Sequence, residues 1–289
     1  MIPSNFKYVA PKSLDEAVRL LGENGSEAKL LGGGQSLIPL MKFRLATPSV
    51  LIDLGRIPEL RFIREEGDDI VVGGMATHHM LESSALLLEK APLLALTAAH
   101  IGDVQVRNRG TLGGSLTHAD PASDLPAAIL ALDARMKVVG AGGEREISAT
   151  DFFVDMLQSA VGAGEILTEI RIKRPAAGSG AAYMKVPHPA SGFAVVGVAT
   201  NLTLSFGKCL SIGIGITGVA SKPYRASAVE TSLLGNQLNP PTLLAACARA
   251  TQGVEAQSDA LYASAEYRTA LAQVYTRRSV ESAAARAGG

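Results

Sequence analysis

An α+β fold in two unequal parts follows from three features of the sequence. Over residues 1–175, short apolar runs end in glycine and lead into stretches with helical spacing. A Pro/Gly/Ser cluster, Pro175 to Gly180, then interrupts the pattern. Beyond it, two long β-branched runs separated by a hairpin signal are followed by helical segments, the pattern of an antiparallel sheet with helices. The reading is a first domain over 1–175 and a second over 180–289.

The elements follow in chain order. Residues 13–24 predict a helix, with Ser13 as N-cap, Glu16 three residues on, and Leu14, Val18 and Leu21 on one face. Lys29-Leu30-Leu31 is a short strand running into Gly32-Gly33-Gly34, after which Gln35 to Arg44 reads as a helix with Pro39 in its first turns. Val50 to Leu54 is a strand closed by Gly55, which ends a first subdomain at about residue 55. In a second subdomain, 56–175, Ile70-Val71-Val72 is a strand closed by Gly73-Gly74, and Thr77 to Glu89 and Pro92 to His100 are helices. Val104-Gln105-Val106 alternates like a strand leading into Asn108 to Ser115. Pro126 to Leu132 reads as a helix, and Met136 to Val139 and Glu169 to Ile172 as strands. In the second domain, Ala194–Leu204 and Cys209–Thr217 flank the turn Ser205 to Lys208. Thr242–Val254 and Ala265–Arg286 are helical, the latter carrying Tyr267, Leu271, Val274 and Arg278 on one stripe.

Composition narrows the function. With 27 basic and 27 acidic residues the chain is formally neutral and carries no basic run, so it offers no footprint for nucleic acid or an anionic membrane. Only Cys209 and Cys247 occur, without a CxxC pair. That excludes a disulfide framework and an iron–sulfur cluster held by this chain alone, and it fits a reducing cytoplasm. No apolar run reaches membrane-span length and no secretory signal is visible, so a cytoplasmic location is expected.

Two glycine segments carry the chemistry. A dinucleotide's diphosphate must be approached closely by peptide N–H groups, and residues without a Cβ permit that approach. Gly32-Gly33-Gly34-Gln35-Ser36-Leu37 lies between a strand and a helix, and Gly113-Gly114-Ser115 repeats the device about eighty residues later beside the hydroxyls of Thr111 and Ser115. Neither segment has the Gly-Lys-Ser/Thr of a Walker loop. A third string, Gly213-Ile214-Gly215-Ile216-Thr217-Gly218, has GxGxxG form but leads into no helix, and is read as glycines of a strand in close packing.

Lys29 to Leu40, Val106 to Ser115 and His118 to Asp124 resemble the two FAD loops of the flavin subunits of molybdenum hydroxylases, of the carbon monoxide dehydrogenase medium-subunit and xanthine dehydrogenase flavin-domain type. The similarity continues through Gly164 to Leu167, Tyr183-Met184-Lys185 and Ser264 to Arg268, nearly the whole chain in order. The resemblance implies a fold related to vanillyl-alcohol oxidase, the two subdomains clasping FAD and a C-terminal sheet-plus-helices domain following. Carried onto this sequence, Leu30, Leu31, Gly32, Gly33, Gly34, Gln35, Ser36 and Leu37 would wrap the pyrophosphate, with Thr111, Gly113, Gly114 and Ser115 opposite. Asp124 would take a ribose or nearby hydroxyl, Ile101 and Leu167 would lie along apolar surfaces of the cofactor, and Lys185 would approach the isoalloxazine or ribityl chain. Two departures stand out: relatives more often carry alanine at the Gly32 position, and Val186-Pro187-His188 lacks an arginine that many relatives have.

Several residues have plainer readings. Asp124 precedes Leu125-Pro126, where a helix N-cap competes with ligand binding. His118 and Asp120 form an HxD pair without a third ligand, and His78-His79 would point about 100° apart on a helix, so no metal site is expected. Ser36 and Ser115 sit in no GxSxG elbow, and no catalytic residue is assigned. Arg107 and Arg109, on one face of the expected strand, suit ion pairs as well as a cofactor.

The implied function is an electron-transfer subunit. It would take electrons from [2Fe–2S] clusters on a small partner and pass them to an external acceptor, with substrate chemistry on a large molybdopterin subunit in a dimer of heterotrimers. A self-sufficient FAD oxidase or dehydrogenase, and a non-catalytic nucleotide-binding module, remain as alternatives.

Overall fold

The computed structural model describes residues 2–259 and 261–287. Three larger sheets build it, beside a two-stranded one that pairs Phe153–Asp155 with Gln158–Ser159. The first is parallel, with Val50–Asp53 between Lys7–Val9 and Ala28–Leu31. Leu14–Asn24 crosses between the two outer strands, its Ser13 hydroxyl accepting from the Glu16 amide at 3.3 Å. The second sheet is antiparallel, in the order Ile63–Glu66, Asp69–Gly73, Glu165–Lys173, Arg135–Gly140, Gly143–Ser148. The third is also antiparallel, running Ser179–Pro187, Ala194–Ser205, Lys208–Thr217, Tyr224–Arg225. Phe206 and Gly207, with φ of 47° and 76°, make the tight turn of its central hairpin. Ala265–Ala287 lies across this sheet, so the antiparallel sheet with helices expected of the second half is present.

Three expectations differ from the structure. Val104–Arg109 is a helix and not a strand: the Asp103 carboxylate accepts from the Val106 amide at 2.8 Å, and that cap overrides the β-branched alternation. Arg107 and Arg109 therefore part company, Arg107 turning inward to Glu82 at 2.8 Å while Arg109 is exposed. The single helix expected over Thr77 to Glu89 is two, His78–Ser83 and Ala85–Lys90, because Ser84 is extended and caps the second through the Leu87 amide. The helix expected over Thr242–Val254 spans Pro240–Cys247.

The halves are joined by close backbone packing. A Cβ on Gly213 or Gly215 would lie 2.1 or 2.0 Å from the carbonyl oxygens of Ala131 or Ala127, so these glycines let the helix Leu125–Ala131 settle directly on the Lys208–Thr217 strand. The GxGxxG string is thus a packing device, as its sequence context indicated. Ala181, Tyr183 and Ala199 of the third sheet join the apolar cluster built by the second sheet and its helices.

The helix Leu37–Lys42 ends unusually. The Leu45 amide donates to the Leu40 carbonyl at 2.9 Å and the Arg44 amide to Met41 at 3.0 Å, the bonding of a Schellman C-cap. The left-handed residue of that motif is ordinarily glycine; here it is Arg44, at φ 60°.

Candidate functional site

The strand Ala28–Leu31 runs out into Gly32, and the chain reverses at Gly34, whose φ of 77° suits glycine. A Cβ on Gly33 would stand 2.0 Å from the Arg109 carbonyl oxygen and 2.6 Å from the Gly110 Cα. The first glycine segment therefore rests on the residues that open the second. There, Thr111 caps the helix Leu112–His118 by accepting from the Gly114 amide at 3.1 Å. A Cβ on Gly113 would meet the Gly74 carbonyl oxygen at 2.6 Å. Two segments about eighty residues apart in sequence are in backbone contact, and both line one cavity of about 690 Å³.

Of the residues expected at the site, all but Leu31 and Lys185 line this cavity. Leu31 instead packs with Met41 and Leu51 in a small apolar cluster. Lys185 stands behind Asp124. The wall also includes residues that sequence reasoning did not assign to the site: Met75, His78, Val161, Ile166 and Phe193. Ser191, Gly192 and Phe193 also line the cavity, in a loop folded on itself by the Gly192 amide donating to the His188 carbonyl and the His188 amide to that of Phe193.

The two glycine segments differ in what they offer an anion. In the second, the amides of Leu112, Gly113, Gly114 and Ser115 are all committed, to Ala76, Gly74, the Thr111 hydroxyl and the Thr111 carbonyl. In the first, the amides of Gly33, Gly34, Gln35, Ser36 and Leu37 have no acceptor among the described residues. Five consecutive donors without a protein acceptor, on residues that line a cavity, suit an anion, and a diphosphate would satisfy them without cationic side chains. The second segment contributes a close-packed wall and the hydroxyl of Ser115, 2.8 Å from that of Ser123.

Asp124 does not cap its own helix. Its buried carboxylate accepts from the Tyr183 hydroxyl at 2.5 Å and from Lys185 Nζ at 2.9 Å, and Lys185 also donates to the His100 carbonyl at 3.0 Å. Burial pushes the Asp124 carboxyl up, while the Lys185 ammonium and the Tyr183 phenol pull the other way. Burial next to Asp124 also drives the Tyr183 phenol well above its usual value, so it stays a donor. The group is drawn from both halves: Asp124 and His100 from the first, Tyr183 and Lys185 from the third sheet.

His78 is 5% exposed on the cavity wall, with an unpartnered Nδ1. Burial lowers its pKa from 6.5 to about 4, so the imidazole is neutral at physiological pH. With the folded pKa below the unfolded one, the unfolded chain takes up the proton first as pH falls. Stability present above pH 6.5 is therefore lost on descending to about pH 4. A His78→Leu variant is expected to lose about 3 kcal/mol less than the parent over that interval, measured by denaturant titration at stepped pH. Parallel curves would show that the imidazole is not held neutral.

Among the described residues no cluster of three or more His, Cys, Asp or Glu could hold a metal ion, and no helix is long and apolar enough to cross a membrane.

Comparison with known proteins agrees with this geometry. The family described as "FAD binding domain in molybdopterin dehydrogenase" matches residues 4–175, and the "CO dehydrogenase flavoprotein C-terminal domain" matches residues 181–283. The carbon monoxide dehydrogenase medium chain of Afipia carboxidovorans is 43% identical over 287 residues, covering 99% of both chains. The 6-hydroxypseudooxynicotine dehydrogenase complex subunit alpha of Paenarthrobacter nicotinovorans is 36% identical over 99% of this chain and 97% of that one. The crystal structure of quinoline 2-oxidoreductase from Pseudomonas putida 86 superposes with a TM-score of 0.94 at 34% identity, covering 100% of each chain. By family matches, sequence and fold alike, the chain belongs to the FAD-binding medium subunits of the molybdenum hydroxylases.

Proposed function

We propose that this chain holds one FAD in the cavity between its glycine segments and acts as the electron-transfer subunit of a cytoplasmic molybdenum hydroxylase. Its partners are a small subunit with [2Fe–2S] clusters and a large molybdopterin subunit, assembled as a dimer of heterotrimers. The observation that carries the reading is the row of five unpaired amides, on residues Gly33 to Leu37 that line the same cavity as Thr111, Gly114 and Ser115. Bound FAD supplies the redox chemistry, taking up single electrons from clusters and releasing them to an external acceptor.

The chain's own residues bind and orient. The Gly33–Leu37 amides would hold the diphosphate, and Asp124, kept off its helix by Tyr183 and Lys185, would accept from a cofactor hydroxyl. Ile101, Leu167 and Phe193 present apolar surface along the cavity and limit water there. The boundary between cofactor domain and C-terminal domain is placed between residues 175 and 180. The relatives' names span carbon monoxide, 6-hydroxypseudooxynicotine and quinoline, as expected if substrate is chosen on another subunit.

Affinity purification of the tagged chain from its native host tests the reading. The expected product contains one FAD per copy, iron and labile sulfide on a small partner, and molybdenum on a large one. A colourless chain that takes up no added FAD in its native assembly would refute it. Flavin in the isolated chain reduced directly by an organic substrate would favour a self-sufficient oxidase instead.

A further inference from the structure

We propose that Arg107 is a positioning residue for the cofactor: it holds the segment His100–Gly102 at the cavity wall so that Ile101 packs on the flavin ring. This rests on the functional reading above. From Ala99 to Gln105 every residue is exposed except Ile101, which lines the cavity and packs on the apolar cluster of the second sheet. A surface segment with one apolar anchor opens readily unless polar contacts hold it. It also follows the carbonyl end of the helix Pro92–Ala98, where unpaired C=O groups and the helix dipole both favour cations. Three consecutive carbonyls there accept from two cationic side chains. Lys185 Nζ donates to that of His100 at 3.0 Å, and Arg107 Nη1 to those of Ile101 and Gly102, each at 3.1 Å.

The chain turns back on itself to make this clamp. Gly102, at φ 46°, reverses its direction, Asp103 caps the helix Val104–Arg109, and Arg107 reaches back from that helix over the segment it follows. The Arg107 side chain is 15% exposed, and its Nε stands 2.8 Å from the Glu82 carboxylate on the helix His78–Ser83. A planar fork of several donors can meet a carboxylate and two carbonyls together, which a single ammonium does poorly. Glu82 neutralises the guanidinium, so Arg107 contributes geometry to the cavity and not net charge.

The contact made by Ile101 follows from what it offers. Its amide is already committed to the Ala98 carbonyl at 3.1 Å, so it presents alkyl surface to the cavity. The unpaired amides that suit a diphosphate lie elsewhere, on Gly33 to Leu37, which leaves Ile101 to an uncharged aromatic part of the cofactor. Through the His100 carbonyl, Lys185 ties the same segment to Asp124, so the clamp and that carboxylate form one connected network.

The test uses the native assembly, purified through a tag on this chain. FAD affinity is read by equilibrium dialysis, and the surroundings of the ring by the visible flavin absorbance band. Arg107→Met is expected to weaken FAD binding about tenfold and to move the band toward that of free FAD. Ile101→Ala should do the same, and the two combined no more than either alone, because one acts through the other. Additive losses would overturn the proposal, as would weakened binding with an unmoved band, which would place Ile101 on the adenine. Arg107→Lys keeps the charge without the fork and should match Arg107→Met; full recovery by lysine would show that charge is what counts and would overturn the clamp. Arg107→Met/Glu82→Gln leaves no unpaired carboxylate, and should melt closer to the parent than Arg107→Met yet still bind FAD weakly. Parental affinity in that variant would trace the loss to Glu82 and also overturn the clamp. Absence of FAD from the parent would instead defeat the functional reading on which the proposal stands.

Discussion

Lys185→Met will destabilise the chain by about 3–5 kcal/mol, because it leaves the buried Asp124 carboxylate with no opposing charge. The side chain of Lys185 is 4% exposed and that of Asp124 5%, so water cannot replace the lost ammonium. With the ammonium gone, burial is opposed mainly by the Tyr183 hydroxyl, and the Asp124 carboxyl moves further up. The variant should therefore recover part of its stability as pH falls and the carboxyl takes a proton. The parent, whose Asp124 carboxyl is already raised by burial, gains in the same direction but less. Chemical denaturation at two pH values reads both effects. Lys185→Met combined with Asp124→Asn should restore much of the loss, since it removes both charges together. If the single variant melted with the parent, the pair would be irrelevant to folding.

Gly33→Val is the second large effect expected. Its Cβ would fall 2.0 Å from the Arg109 carbonyl oxygen, and neither backbone can yield without opening the contact between the two glycine segments. A loss of about 3 kcal/mol or more is expected, together with FAD. Gly114→Val serves as the contrast. A Cβ there meets only the Thr111 hydroxyl, at 2.8 Å, and otherwise projects into open space. This variant should retain most of its thermal stability and still lose flavin, read as absorbance per chain. Equal loss of stability in both variants would remove the distinction between a packing glycine and a cavity-facing one.

How far the sequence could be read is clearest at these residues. The glycine strings, their spacing and the hairpin near Phe206 were legible because positive φ and missing Cβ atoms leave a mark in residue type. The string Gly213–Gly218 was legible as packing for the opposite reason: no helix followed it. The partners of Asp124 were not legible. A carboxylate before Leu125-Pro126 looks like a helix cap, and only the docking of the third sheet reveals the Tyr183 hydroxyl and the Lys185 ammonium as its donors. Nor could sequence divide the amides, since Leu112, Gly113 and Gly114 are satisfied by Ala76, Gly74 and Thr111 through tertiary contacts alone. Val104 to Arg109 misled because Val-Gln-Val alternates, and one aspartate outweighs that alternation. Nothing local tied His78 or Phe193 to the cavity, to which they are drawn from a helix start and a loop beyond Pro187.

The seating of the helix Leu125–Ala131 on Gly213 and Gly215 bears on the order of events at the ribosome. Both glycine-rich turns emerge early, but the strand that fixes the helix and the lysine that neutralises Asp124 are translated later. A nascent chain halted before residue 180 would own every amide of the anion site and no settled carboxylate beside it. Such a shortened chain is therefore expected to hold less flavin than the full polypeptide, read as flavin absorbance per copy.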